Sequence, residues 1–365
     1  MPRVITSADD PALAELCGRL AGVAEALDAS GDWPAEQLRL CGEYGVYEWF
    51  VGRQWGGQAW SQQDVLRAYL AIASSCLTTA FVLTQREGAC RRIESSNNTA
   101  LQAKLLPRLV RGELFATVGI SHLTTSRRHL ARPVLSYSIG AAGGVKLSGF
   151  SPWVTGADHA DVVVVGATGV NDDGTAKEEQ ILAAVPLTLA GVKPETPVRL
   201  VGLSASHTGR LAFDNVALPE QWLLGPPAPN VMAAGKGAGT GGLGTSALAL
   251  GLAQAALRWL EDEAPVRAEL LEPLEALRRE AAKAEEDLLA AARGEPACSN
   301  DELRQRANSL VLRATQSALA AAKGAGYVVG HPAGRWCREA LFFLVWSCPQ
   351  PVLAANLCEL AGILE

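Results

Sequence analysis

Asp161-Val162-Val163-Val164-Val165-Gly166-Ala167-Thr168-Gly169-Val170-Asn171-Asp172-Asp173-Gly174, followed by Ile181-Leu182-Ala183-Ala184-Val185, decides the fold class of this 365-residue chain. Four consecutive β-branched residues fit a pleated strand, Asn-Asp-Asp-Gly supplies a tight turn, and the second apolar run returns as a partner strand. Upstream, Val134 to Ile139 is followed by Gly143-Gly144, a second hairpin signal. Residues from Leu114 to about Leu224 therefore read as a compact β-domain, a barrel or a sandwich, which Pro226-Pro227 brings to an end.

On both sides of this zone the periodicity changes to that of helices. Leu13, Leu16, Leu20, Val23 and Leu27 recur at spacings of three or four and predict one buried helical face. A second helix is expected from Pro34 to Gly45, and Ser61 is placed to cap a third over Asp64 to Cys76. A buried helix of small residues follows around Thr79 to Thr84. After the β-zone, Gly237 to Ala256 reads as a glycine-rich loop entering a buried helix. Pro265 to Ala291 is amphipathic, Cys298-Ser299-Asn300-Asp301-Glu302 caps a helix ending near Ala322, and a last helix starts after Pro332. Helices, then strands, then helices give an α+β fold in three parts: an N-terminal helical domain (1–113), a central β-domain (114–225) and a C-terminal helical bundle (226–365).

Composition narrows the function. The chain is 48% hydrophobic and 19% charged, with a net charge of −6 and scattered arginines, so no basic footprint for nucleic acid is present. No stretch approaches the roughly 20 uninterrupted apolar residues of a membrane span, and no apolar run follows Arg3 as in a signal peptide. Eight dispersed cysteines without a CxxC pair fit free thiols in a reducing, cytoplasmic setting. Together with five scattered histidines they show no metal-ligand spacing, and no metal is expected.

Five motifs in order carry a family resemblance. Asp32-Trp33-Pro34 with Trp55-Gly56-Gly57, Leu105 to Leu109 with Gly112-Glu113, Gly149 to Ala157 with Ala160-Asp161, Leu211 to Val216 with Pro219, and Gly324 to Tyr327 with His331-Pro332 resemble stretches of the acyl-CoA dehydrogenase superfamily. The third, containing Trp153-Val154-Thr155, resembles its W-[IV]-T-N signature. The resemblance implies an N-terminal helical domain, a β-domain and a C-terminal four-helix bundle. It also implies bound FAD (FMN as the alternative), an acyl-thioester-like substrate, and a homodimer or homotetramer.

It further implies roles for single residues. Trp153 would cover an edge of the flavin ring and Thr155 would offer a hydroxyl to its polar rim; a buried structural Trp is the plainer reading. Thr124, Thr125 and Ser126 stand where the family's Y-x-[VT]-T-E-P-x-x-G-S-D loop ends and would serve a pyrophosphate or substrate, or simply cap their own turn. Gly119 and Ile120 replace that loop's Thr and Glu. Gly324 would admit backbone close to the flavin of a neighbouring subunit. The family's R-x-x-F-G is absent, and Arg267 in that stretch reads as part of a solvated helix face.

The catalytic base is where the chain departs most. Ser347 occupies the position of the usual Glu, and the other position used by some members falls near Gly241 with no acid. A serine hydroxyl is too weak a base unless a neighbour activates it. Cys348 has no flanking basic group, and Glu339, about 12 Å before Ser347 along a helix axis, is expected to pair with an arginine instead. His122 and His207 are the remaining acid–base candidates, a satisfied histidine being the plainer reading of each. Three readings stand: a dehydrogenase-type flavoenzyme with an unusual site, a flavin monooxygenase on the same scaffold, which needs no Glu base and in which Ser121 and His122 would stabilise a flavin hydroperoxide, and a catalytically silent binding or assembly subunit.

Overall fold

A computed structural model describes residues 3–124, 132–140, 143–171, 173–233 and 242–363. Asp10 opens helix α1 (Pro11–Ser30) by accepting the Ala12 N–H, and Gly31, with a left-handed φ of 69°, closes it. Leu13, Leu16, Leu20 and Leu27 are buried as the spacing predicts, but Val23 is 39% exposed. Ala24 takes the inward position instead, since the face advances by four and then three residues. Helix α2 (Ala35–Glu43) follows Pro34, and Ser61 caps α3 (Gln62–Ser75) through the Asp64 N–H. The small-residue helix is longer than its apolar centre suggests: α4 runs Leu77–Glu94. Helix α5 (Thr99–Val110) completes the first helical zone.

The middle zone is an eight-stranded mixed sheet among the described residues. Its strands are β1 (Ala116–Gly119), β2 (Leu135–Ile139), β3 (Val145–Thr155), β4 (Val162–Val170), β5 (Ala176–Pro186), β6 (Val192–Pro194), β7 (Thr208–Leu218) and β8 (Ala228–Pro229). Their order is β6-β7-β3-β2-β4-β5-β8, with β1 also pairing β4. Both hairpin signals hold: β2 pairs β3 around Gly143, and β4 pairs β5 around Gly174, which bonds back to Asn171. A single turn, α6 (Ser121–Thr124), follows β1. Alternation along β4 sorts its valines onto two faces. Val163 and Val165 join the sheet's own core, whereas Val162 and Val164 join the helical core.

The last zone comprises α7 (Leu243–Glu263), α8 (Leu271–Ala292), α9 (Asn300–Gly326), α10 (Pro332–Ala340) and α11 (Gln350–Leu360). Ser299 caps α9, and Lys323, at φ 53°, breaks its helical path next to the expected end at Ala322. The last helix starts at Pro332 but does not stay continuous: a 3-10 turn (Leu341–Leu344) and Ser347 at φ 47° separate α10 from α11. α7 packs so tightly on α3 that a Cβ at Gly251 would stand 2.6 Å from the Leu70 carbonyl oxygen. Both helical zones therefore share one hydrophobic core, reaching from Ile5 to Phe343.

Candidate functional site

Trp153 and Thr155 lie at the end of β3, where it pairs with the start of β7. Trp153 is 51% exposed, so it is not the buried structural Trp of the plainer reading. Thr155 is buried, and its hydroxyl sits 3.0 Å from that of Thr208, which in turn lies 2.9 Å from that of Ser206. Three hydroxyls in a row use two of their protons on one another and leave one for a further acceptor.

Beside this row, β1, α6 and β3 bury polar atoms that lack hydrogen-bond partners: Thr117 Oγ1, Ser121 Oγ, His122 Nδ1 and Ser151 Oγ. Gly119 makes room for them, because a Cβ there would stand 2.9 Å from Ser151 Oγ. His122 Nε2 is 2.7 Å from the Gly166 carbonyl, which only accepts, so Nε2 carries the proton. Burial holds the imidazole below the ordinary histidine range and keeps it neutral, leaving Nδ1 as a buried acceptor. Leaving such atoms unmatched costs roughly 1–3 kcal/mol each, so a polar partner at this place would be stabilising.

The other predicted residues divide. Thr124 donates its hydroxyl to the Ser121 carbonyl and so caps its own turn, 3.1 Å away. Thr125, Ser126 and Gly241 lie outside the described residues. Gly324 belongs to the bundle, beyond the Lys323 break, with nothing within 4 Å of where a Cβ would be. Arg267 does not sit on a solvated face: its Nη1 donates to the Ala321 carbonyl at 2.7 Å and its Nε pairs with Glu269. It ties the segment before α8 to the end of α9.

Around Ser347 the setting is aromatic and cationic. Trp346 stacks on Phe342 at 5.0 Å, and Phe81 meets both edge-on. Arg304, fully buried, donates through Nη2 to the carbonyls of Phe343 and Trp346, while its Nε and Nη1 have no partner. Burial pushes this guanidinium down to about 10. Cys348 beside it is raised by burial, against a thiolate role. Glu339 pairs with Arg335 at 3.1 Å, as expected, and Arg335 also bonds Glu25 at 2.5 Å. Those two carboxylates hold Arg335 firmly charged, so Glu339 is committed to structure.

A grouping that sequence spacing did not suggest is Asp158, His159 and His207, two segments 48 residues apart brought together by the β3–β7 pairing. Its one sequence signal is the Asp-His pair closely following Thr155.

The comparisons with known proteins agree with this architecture. The family model for the acyl-CoA dehydrogenase N-terminal domain matches residues 13–113. A probable acyl-CoA dehydrogenase of Bacillus subtilis is 26% identical over 239 residues, which are 64% of this chain and 61% of that protein. A glutaryl-CoA dehydrogenase from Mycobacterium smegmatis in complex with FADH2 superposes with a TM-score of 0.79 at 18% identity, over 97% of this chain and 96% of the other. KijD3 in complex with FMN and a dTDP-amino-keto sugar superposes with a TM-score of 0.75 at 20% identity, over 99% and 97% of the two chains. At such identities the two superpositions speak for fold alone. Residues 13–113 therefore match the acyl-CoA dehydrogenase N-terminal domain, nearly all of the chain shares the fold of a glutaryl-CoA dehydrogenase, and the chain spans about 61% of the curated acyl-CoA dehydrogenase it resembles.

Proposed function

We propose that this protein is a flavin-dependent oxidoreductase acting on an acyl thioester or a related small molecule, with a site that lacks the usual carboxylate base. The observation that carries this reading is the set of buried, unpartnered polar atoms on β1, α6 and β3 beside an exposed Trp153. A flavin's pyrimidine edge offers both acceptors and an N–H donor, and hydroxyls with a neutral imidazole acceptor match both kinds. Trp153 would cover the ring, the Ser206–Thr208–Thr155 row would donate its spare proton, and His122 Nδ1 would accept one. When bound, the flavin supplies the two-electron acceptor. FAD is the favoured form and FMN the alternative, both being held by proteins of this fold.

Ser347, with a buried guanidinium at the preceding carbonyl and a raised thiol next to it, is not a group that removes an α-proton at neutral pH. A monooxygenase or other oxidase is the second reading, supported by the polar pair Ser121 and His122. A silent binding or assembly subunit is the third. No helix among the described residues is long and apolar enough to cross a membrane, which is compatible with a cytoplasmic protein. Exposed Tyr327, Val328, Val329 and Val345 favour a homodimer or homotetramer through the bundle.

The test is the colour of the full-length protein reconstituted with FAD or FMN, followed by anaerobic mixing with a panel of acyl-CoA thioesters. Bound yellow flavin bleached by a thioester is the expected result. A protein that stays colourless with excess of either flavin overturns the proposal in favour of the silent subunit; bound flavin that ignores thioesters, yet consumes oxygen when reduced, favours the monooxygenase.

A further inference from the structure

Asp158 and His159 lie in a one-turn 3-10 segment that follows β3, and His207 stands immediately before β7. Their nearest donor atoms form a small triangle. His207 Nδ1 is 2.8 Å from Asp158 Oδ2 and 3.2 Å from His159 Nε2, and His159 Nε2 is 3.5 Å from Asp158 Oδ2. Tetrahedral zinc with bonds near 2.0–2.1 Å places its ligand atoms about 3.3 Å apart, and octahedral cis ligands stand about 2.9 Å apart. The three measured edges bracket both values.

Protons satisfy this arrangement only by sharing: a single His207 Nδ1–H must divide itself between Asp158 Oδ2 and the His159 Nε2 lone pair. A cation at the centre uses one lone pair from each of the three. The triangle is also held in place. Trp33 stacks flat on the His159 ring, with centroids 4.6 Å apart and planes 11° off parallel. A Cβ at Gly156 would collide with that Trp33 ring, so glycine is needed for the approach. The Gly156 N–H bonds the carbonyls of Ser206 and His207, locking the two segments together. His207 itself holds a left-handed φ of 47°, which turns its side chain toward Asp158.

From this geometry we infer that Asp158, His159 and His207 form a binding site for a divalent first-row transition ion of the zinc class, with the remaining coordination positions open to water or an external ligand. Two imidazoles and a carboxylate are borderline ligands, suited to zinc, cobalt or iron(II) over magnesium or calcium. Ion access is direct: both histidines line a cleft of about 930 Å³ that also includes Trp33, Phe115, Arg39 and Arg111. The site stands independently of the flavin reading, because none of its three ligands belongs to the hydroxyl row or to the unpartnered set.

The test is calorimetric titration of chelator-treated full-length protein with zinc chloride, repeated with cobalt(II) while recording its visible absorption. One equivalent is expected to bind, and His159→Ala, His207→Ala and the near-isosteric Asp158→Asn are each expected to lose at least about tenfold in affinity. His331→Ala, in the bundle, is expected to bind as wild type does. Circular dichroism of Asp158→Asn separates loss of a ligand from loss of fold. Wild-type protein showing no saturable binding at about 0.1 mM zinc, far above the affinity of a built three-ligand site, overturns the inference. Equal binding by all three site variants overturns it too.

Discussion

The two ends of the candidate site contrast sharply. At the β end, hydroxyls and an imidazole are gathered, buried and left with spare hydrogen-bonding capacity. At the bundle end, around Ser347, stacked aromatics and a buried guanidinium dominate the described surroundings. On the proposed reading, the polar end would hold the cofactor and the aromatic end would be poorly placed to move a proton. Binding equipment and proton chemistry would then sit on separate elements and could change independently.

The contrast can be broken most forcefully at Arg304. Replacing it by Ala strands the carbonyls of Phe343 and Trp346 and opens a cavity, and is expected to cost about 3 kcal/mol in urea unfolding. A loss near zero would mean that this guanidinium does not organise the turn. Ser347→Glu tests the bundle end directly: with flavin bound, thioester dehydrogenation is expected to rise by about a hundredfold over background. No rise would show that the substrate pocket, too, has diverged. At the β end, Trp153→Ala should weaken flavin retention about tenfold without lowering thermal stability, since half of the side chain is in solvent. Arg267→Ala should leave retention unchanged, and equal loss in both would contradict the placement.

The smallest effect concerns pH. His122 is depressed in the folded protein, so its neutral form is favoured there. Its contribution to stability is complete above the unfolded value of about 6.5 and is lost as pH falls from there toward the folded value. His122→Gln is therefore expected to flatten the melting-temperature profile between about pH 5 and 7 relative to wild type. An unchanged slope would show that this imidazole is free to take a proton in the folded state.

Much of the architecture was legible because it depends on local pattern. The Val162–Val165 run, the glycine turns, the Ser61 and Ser299 caps and the stop near Ala322 are properties of a few neighbouring residues. What escaped needed contacts between distant segments. Val23 reads as a core residue by spacing, yet the helix turns Ala24 inward. Arg267 looks solvated until the end of α9 is brought alongside. The unpartnered set joins Thr117 to Ser151, and the Asp158–His159–His207 triangle joins residues 48 apart; no spacing rule relates either group before the sheet is folded. The order of motifs singles out Ser347, but the Phe81 ring and the Arg304 guanidinium near it come from α4 and α9.

The close approach of Gly251 to Leu70 has a consequence for synthesis. The α3 flank at Leu70 emerges from the ribosome about 180 residues ahead of Gly251 on α7, which covers it, a delay of about 10 to 40 s at ordinary translation rates. Throughout that interval a broad greasy flank of α3 stays uncovered while the sheet is still being made. Nascent chains of this protein should therefore lean on holdase chaperones, and a ribosome stalled before α7 would release a fragment prone to clump.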